Sequence, residues 1–300
     1  MTLSENTRGA LVMASSMAAF TFGDACMKAL GGQIPLSQLL TIRGAVAVVA
    51  IALLAWRMGA LSHGIPRRDW VLVGLRALAE VGAAVFFFTA LFNMPFANVS
   101  ALLQMLPLTI TLGSALFFRE PVGWRRWLAI AAGFLGMLLI VRPGTEGFNL
   151  YTLSALAAVI CVTVRDLATR RMSRDVPSLL VTTITAIAVF VFAAIWSLFQ
   201  TWVPVSLGSG LILGAASLFI VAGYTLSVMA MRVGEVGFVA PFRYTSLVLA
   251  LLIGLIAFDE WPSALSLTGA AIIVGTGLFT LWREAQLRRA LQTGAKTRRT

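Results

Sequence analysis

Charge is scarce in this chain. Lysine, arginine, aspartate and glutamate make up 12% of the 300 residues, about half the share of an ordinary soluble domain. A soluble globular protein is excluded on that ground, because too few polar side chains remain to cover a core of this size. Histidine occurs once, as His63, and cysteine twice, as Cys26 and Cys161. A single loop histidine and two cysteines in separate apolar stretches exclude the ligand spacing of a zinc site, so no metal or cofactor is expected. The thiols read as small buried hydrophobes rather than a disulfide. The same shortage counts against an intramembrane enzyme, which needs a serine with a base, paired catalytic aspartates or histidines at depth. The opening residues, MTLSENTRGALVMASS, lack both a basic stretch before a short apolar core and a small-residue cleavage site, so the first apolar run is expected to stay in the protein.

What the chain has instead is apolar length. Hydrophobic residues reach 59% and mean hydropathy is +0.91. A hydrocarbon core of about 30 Å needs roughly 20 helical residues. Ten such runs occur, near residues 9–29, 36–56, 70–91, 95–118, 124–141, 150–170, 178–200, 207–230, 237–258 and 264–282. None shows the short alternating pattern of a barrel strand, so the predicted fold class is all-α integral membrane with ten transmembrane helices. The net charge of +11 would suggest nucleic acid if it formed a patch. Its residues fall on one side of the predicted spans: Arg8, Arg57, Arg67, Arg68, Arg119, Arg125, Arg126, Arg170, Arg171, Arg174, Arg232 and a tail from Arg283, against Lys28 and Arg142 on the other. That bias predicts both termini in the cytoplasm and no nucleic-acid partner. The tail, residues 285–300, is expected to fray or to rest on anionic lipid.

The chain also repeats itself. Residues 84–140 align on 224–280 without a gap, matching Glu120 with Glu260 and Phe118 with Phe258; in the segments that open each half, Asp24 meets Asp166, Lys28 faces Arg170 and Pro35 meets Pro177. Five spans per half is an odd number, so the second copy crosses the membrane in the opposite sense. The predicted units are a first five-helix repeat, 1–145, and a second, inverted one, 146–284. Inverted repeats of this kind bind solute near mid-depth between the halves and expose it alternately to each side.

The FREPVGWRRW stretch from Phe118, its counterpart FDEWPS from Phe258, and the closing spans GFLGMLLIVRPG and GAAIIVGTGLFTLWRE resemble the drug/metabolite transporter superfamily, and within it the EamA family. The resemblance spans residues 9–284. It implies a secondary transporter of the inner membrane, similar to bacterial exporters of aromatic and other amino acids, with carriers of nucleotide-like compounds, organic cations or drugs as alternatives. The absence of a carboxylate at the middle of the first span counts against the short four-span cation antiporters. A lipid flippase or a scaffold is the rival from another class.

A charge at the bilayer centre costs at least about 2.5–3.5 kcal/mol, so those that persist usually face the protein interior or a wet cavity. Arg76 and Glu80, four residues apart, are predicted to share one helical face and to reach each other. Arg165 and Asp166 lie near a span end, where a long side chain can snorkel, and Arg43 can either snorkel or turn inward. Arg243 stands inside the ninth span, two residues after Pro241, and can either cap the carbonyls that the proline frees or present a cation to a cavity. Tyr244, with Asn98 and Gln104 on the fourth span and Tyr224 on the eighth, completes the candidate wall; the Phe86, Phe87, Phe88 run reads as packing or lipid contact. Gly133, Gly136, Gly269, Gly275 and Gly277 are expected to let helices approach closely. The implied partners are a small-molecule solute and membrane lipid, and nothing in the sequence sets an oligomeric state.

Overall fold

The computed structural model describes residues 4–297 apart from positions 121, 144–148, 174, 234 and 235. Side chains are described for the same residues other than 228, 231, 232, 236, 237, 284, 285 and 287–297. Among the described residues there are helices and turns and no strand. In chain order the helices are α1 (Glu5–Leu30), α2 (Leu36–Arg57), α3 (Trp70–Asn93), α4 (Phe96–Leu103), α5 (Leu106–Phe118), α6 (Trp124–Val141), α7 (Leu150–Arg171), α8 (Ser178–Ser197), α9 (Leu207–Val233), α10 (Val236–Val239), α11 (Thr245–Phe258) and α12 (Ala264–Thr297). Ten segments are long and apolar enough to cross a membrane, with α4 and α5 forming one of them.

Local chemistry sets where the spans begin. Proline stands immediately before α2, α4 and α8, as Pro35, Pro95 and Pro177, where it blocks continuation of the preceding chain as helix without losing an internal hydrogen bond. Ser4 caps α1, and Asn149 caps α7 by accepting from Tyr151 N and Thr152 N, each at 3.1 Å, which satisfies donors that have no carbonyl one turn back.

Two spans are not continuous helices, contrary to the simple runs expected. The fourth breaks at Gln104 and Met105, just before Pro107. The ninth begins as a tight 3-10 turn over Ala240–Tyr244 containing Pro241. In the repeat alignment Gln104 falls on Tyr244 and Met105 on Thr245, so both halves bend at one register. Both broken spans also end alike. Arg119 and Asp259 take left-handed φ values of 53° and 52°, their N–H groups bond back to Ser114 O and Gly254 O, and a glutamate follows each. Glycine would take this conformation more cheaply; an arginine and an aspartate hold it here at matching positions.

The principal pairings each join one half to the other: α1 with α9, α3 with α7, α2 with α8 and α6 with α12. An even number of spans brings the two described chain ends to one face, called here the termini end. Apolar packing is concentrated at the opposite, far end. One cluster gathers Met27, Leu30, Leu39, Leu91, Phe96 and Ala250 with others. A second gathers Ala90, Leu102, Met105, Ile140, Val159 and Ile273. Both draw on the two halves together. The termini end has two small and separate clusters among the described residues, one around Met13, Met17, Ala230 and Val239 and one around Val73, Val176 and Val181. The far half is therefore sealed across the interface, and the termini half is divided.

The tail differs from expectation: the backbone of α12 runs on as helix to Thr297, so the fraying expected after Arg283 is not seen there. Among the glycines, Gly136 and Gly269 act as foreseen. A Cβ on Gly136 would lie 2.8 Å from Gly269 O and one on Gly269 would meet Gly136 O, so α6 and α12 cross backbone to backbone. Gly133 and Gly277 make room for Leu108 and for Tyr244 Oη. Gly275 faces open space and has no packing role. Gly269→Val is accordingly expected to destabilise the purified protein by about 1–3 kcal/mol through overpacking, while Gly275→Ala leaves it within about 0.5 kcal/mol; thermal melting of both variants checks this, and equal melting points would contradict the crossing.

Candidate functional site

The charged side chains in the spans come together from both halves. Arg165 on α7 sits at the centre, donating from Nε to Asp166 Oδ1 at 2.8 Å and from its terminal nitrogen to Glu80 Oε1 on α3 at 3.3 Å. Arg76, one turn before Glu80, donates instead to Thr169 Oγ1 of α7. Arg76 and Glu80 lie within electrostatic reach of each other, as their spacing predicts, but the direct bond of each is made to α7 and no ion pair along α3 is seen. Both side chains turn across the interface to α7, because α3 and α7 pack along their lengths and a partner on the facing helix lets a carboxylate and a guanidinium meet without bending back along their own helix. Arg165 and Asp166, expected to snorkel, are the hub of this network and are half-buried.

Arg243 enters from the bend in the ninth span. At the bend the hydroxyls bond back along their own chain: Thr245 Oγ1 donates to Phe242 O at 2.7 Å and Ser246 Oγ to Arg243 O at 2.9 Å. The Arg243 side chain itself caps none of the described carbonyls. Its guanidinium makes no hydrogen bond or ion pair among the described residues. It is exposed, yet within electrostatic reach of Asp166, Arg165 and Tyr244. Charges kept within a span usually face the protein interior or a wet cavity.

Gln104 closes the wall above it. At the break between α4 and α5 its amide donates to Ser246 Oγ at 2.7 Å, tying the two helix bends to each other, and Thr109 on α5 meets Thr163 on α7 at 2.7 Å. Tyr224 on α9 stands between charge groups, in reach of Glu80, Arg165, Arg76 and Arg43, and packs edge-on against Phe20 with ring centroids 5.3 Å apart. Arg43 turns inward: it is 7% exposed and lies over the Phe88 ring at 5.0 Å, a cation–π contact that offsets part of its desolvation.

One predicted member packs beside the site and another stands apart. Tyr244 is buried against α12, its hydroxyl over Gly277 and without a hydrogen-bond partner, so its ring is packing, within electrostatic reach of Arg243. Asn98 is half-buried in the first turn of α4 at the far end, away from the charge network. Phe88 is buried and Phe86 exposed, as packing and lipid contact require. An apolar groove lined by Val85, Phe192, Ile195, Trp196 and Phe199 contains none of the charged residues and plays no part in the site.

The sequence reading gave no role to the two boundary glutamates, and the structure supplies one. At the far end Lys28 of α1 pairs with Glu260 at 3.0 Å and donates to Leu91 O and Met94 O at 2.9 and 2.6 Å, while Glu260 also accepts from Phe96 N at 2.7 Å. At the termini end Arg170 of α7 pairs with Glu120 at 2.9 Å and donates to Ser114 Oγ at 2.8 Å. Each basic residue takes the glutamate of the other half. The far pair is the more buried, at 8% and 25% exposure against 48% and 41%, in line with the sealed far end. The matched positions were visible in the sequence, but the cross-pairing follows from inversion and needed the fold.

One model of a transporter family, described as EamA-like, matches residues 7–142 and again 149–282, one copy per half. The chain belongs to the EamA-like transporter family. It is therefore a membrane transporter for small molecules, within the drug/metabolite transporter superfamily. Among the relatives of this EamA chain are a riboflavin transporter of Vibrio cholerae, 28% identical over 94% of this chain and 96% of that protein, and the pseudopaline exporter CntI of Pseudomonas aeruginosa, 27% identical over 88% and 93%. An S-adenosylmethionine uptake transporter of Rickettsia bellii is 26% identical over 63% of this chain and 65% of that protein. One solved crystal structure superposes with a TM-score of 0.61 over 90% of this chain and 95% of its own at 21% identity, a likeness of fold alone.

A double-substitution comparison tests the network. The melting-point losses of Glu80→Gln and Arg165→Gln are expected to be non-additive by roughly 0.5–3 kcal/mol, and more strongly so than those of Glu80→Gln and Arg76→Gln, which share no direct bond. Coupling of equal size in both comparisons would restore the pair along α3.

Proposed function

We propose that this EamA chain carries small organic metabolites bearing both a carboxylate and an ammonium group, amino acids including aromatic ones foremost, out of the cell by alternating access. The observation that carries this reading is the Arg243 guanidinium, exposed and without a partner among the described residues, opposite Asp166. A solute carboxylate would take the free cation and its ammonium the acidic side of the Arg165–Asp166–Glu80 network. Arg76, Tyr224 and Gln104 would orient it, Arg43 would set the charge above, and Phe20 and Tyr224 would accept an apolar or aromatic side chain. The moving bodies are the repeats 1–145 and 146–284, with 285–300 as a basic tail against anionic lipid. The one-sided arginines favour a bacterial inner membrane with both termini in the cytoplasm. Export follows the precedent of the pseudopaline exporter, matched over 93% of its length, over that of the uptake transporter, matched over 65%.

A second reading takes a flat ring system as the solute. It is favoured by the edge-on Phe20 and Tyr224 pair beside the charges and by the riboflavin transporter among the relatives.

Reconstitution into liposomes with labelled amino acids, riboflavin and a labelled lipid separates these readings from each other and from a flippase. Loss of one charge-assisted contact is worth about 1.5–3 kcal/mol, so Arg243→Ala is expected to lower amino acid transport roughly tenfold or more at matched protein amount and melting point. Transport unchanged in that variant would remove Arg243 from the site.

A further inference from the structure

The transported solute accounts for Arg243 and the Arg165 network but leaves Asp24 unexplained. Asp24 lies on α1 six residues before its end at Leu30, roughly 9 Å below the far end at about 1.5 Å per residue. It is half-buried. Other carboxylates deep in the spans have cations: Glu80 and Asp166 share Arg165. At span ends Glu120 pairs with Arg170 and Glu260 with Lys28, while Asp69 accepts from Ser173 N. Asp24 makes no hydrogen bond or ion pair among the described residues. An unpaired carboxylate at this depth is expensive to keep unless its charge comes and goes.

The groups around it fit that use. From α2, Arg43 is the charged group within reach of Asp24, but it stands beyond ion-pair distance, held over Phe88, and its Nε is buried without a partner. The other ionisable neighbours of Arg43 are Cys26 of α1 and Tyr224 of α9. Glu80 and Arg76 of α3 lie on the other side of Tyr224, and Arg243 of the 3-10 turn faces Asp166. The segment of α11 packed against α1 contributes no charge. Lys28, one turn above Asp24 on the same face, is fully committed to Glu260 and to the Leu91 and Met94 carbonyls. It cannot neutralise Asp24, and with the apolar cluster around it it closes the way to the far side.

We infer that Asp24 is a proton site that couples solute movement to protons, with Arg43 as the cation that meets the carboxylate when the proton leaves. An O–H bond forms on the Asp24 carboxylate with a proton from water on one side. After the halves rock, that bond breaks to water on the other side, so no other reactant is needed. This rests on the carrier reading above, and the test keeps the two apart. The first measurement needs no solute. Infrared difference spectra of the full-length protein in liposomes, taken between acidic and alkaline pH, should show a protonated-carboxyl C=O band that is absent in Asp24→Asn and displaced in Asp24→Glu. If the asparagine variant does not fold, the glutamate variant decides. A band unchanged by either substitution overturns the proposal, whatever the solute. The second measurement uses the labelled amino acids in vesicles loaded with pyranine. A gradient of about one pH unit should drive a roughly tenfold accumulation at one proton per solute. Asp24→Asn should exchange labelled for unlabelled amino acid yet fail to accumulate it. Gradient-driven accumulation equal to that of the unaltered chain also overturns the proposal, while absence of any amino acid movement rejects the solute and leaves the infrared band to decide on the proton.

Discussion

A charge held away from water gains from an opposite charge, and in this chain three such pairs form across the line between the halves. Lys28 of the first half is held by Glu260 of the second, Arg170 of the second by Glu120 of the first, and Arg165 of the second by Glu80 of the first. Because the halves are inverted, one pairing rule written twice in the sequence produces a clasp at each end of the molecule. The clasps are chemically alike and differ in surroundings. The far one is roofed by apolar packing, and the other is open to solvent.

The helix bends carry the second layer of the design. A span that breaks at mid-depth needs backbone partners that hydrocarbon cannot supply. At the bend of the ninth span Thr245 and Ser246 bond back to Phe242 O and Arg243 O, and Gln104 of the fourth span bonds to the same serine. These bonds fix the turn that carries Arg243 without involving its guanidinium. The ring of Tyr244 contributes in the same indirect way, filling the notch that Gly277 leaves in α12 and so anchoring the turn from which Arg243 projects.

Much of the fold was legible before any coordinates. Apolar run length gave ten spans, and the matching of Glu120 with Glu260 gave the repeat. The Gly136 and Gly269 crossing was expected from residue size. The site was legible only as a parts list. Arg43, Arg76, Glu80, Tyr224 and Arg243 fall within electrostatic reach of neighbouring charged groups, Gln104 bonds to Ser246 beside Arg243, Tyr244 packs next to it and Asn98 lies at the far end; Arg165 and Asp166 were placed at the membrane boundary when they form the hub of the network. Helical spacing suggested that Arg76 and Glu80 pair, because it measures neighbours along one helix and takes no account of a second helix alongside.

The amino-acid sequence by itself determined the class of protein, its span count and its doubling, since these follow from the transfer of side chains out of water and from periodicity along the chain. Tertiary structure alone decided which cation meets which carboxylate, which end is sealed, and which charged groups are left without a partner. Those depend on distances between helices far apart in sequence, and electrostatic energy in a low-dielectric interior varies too steeply with distance for any local pattern to foretell it.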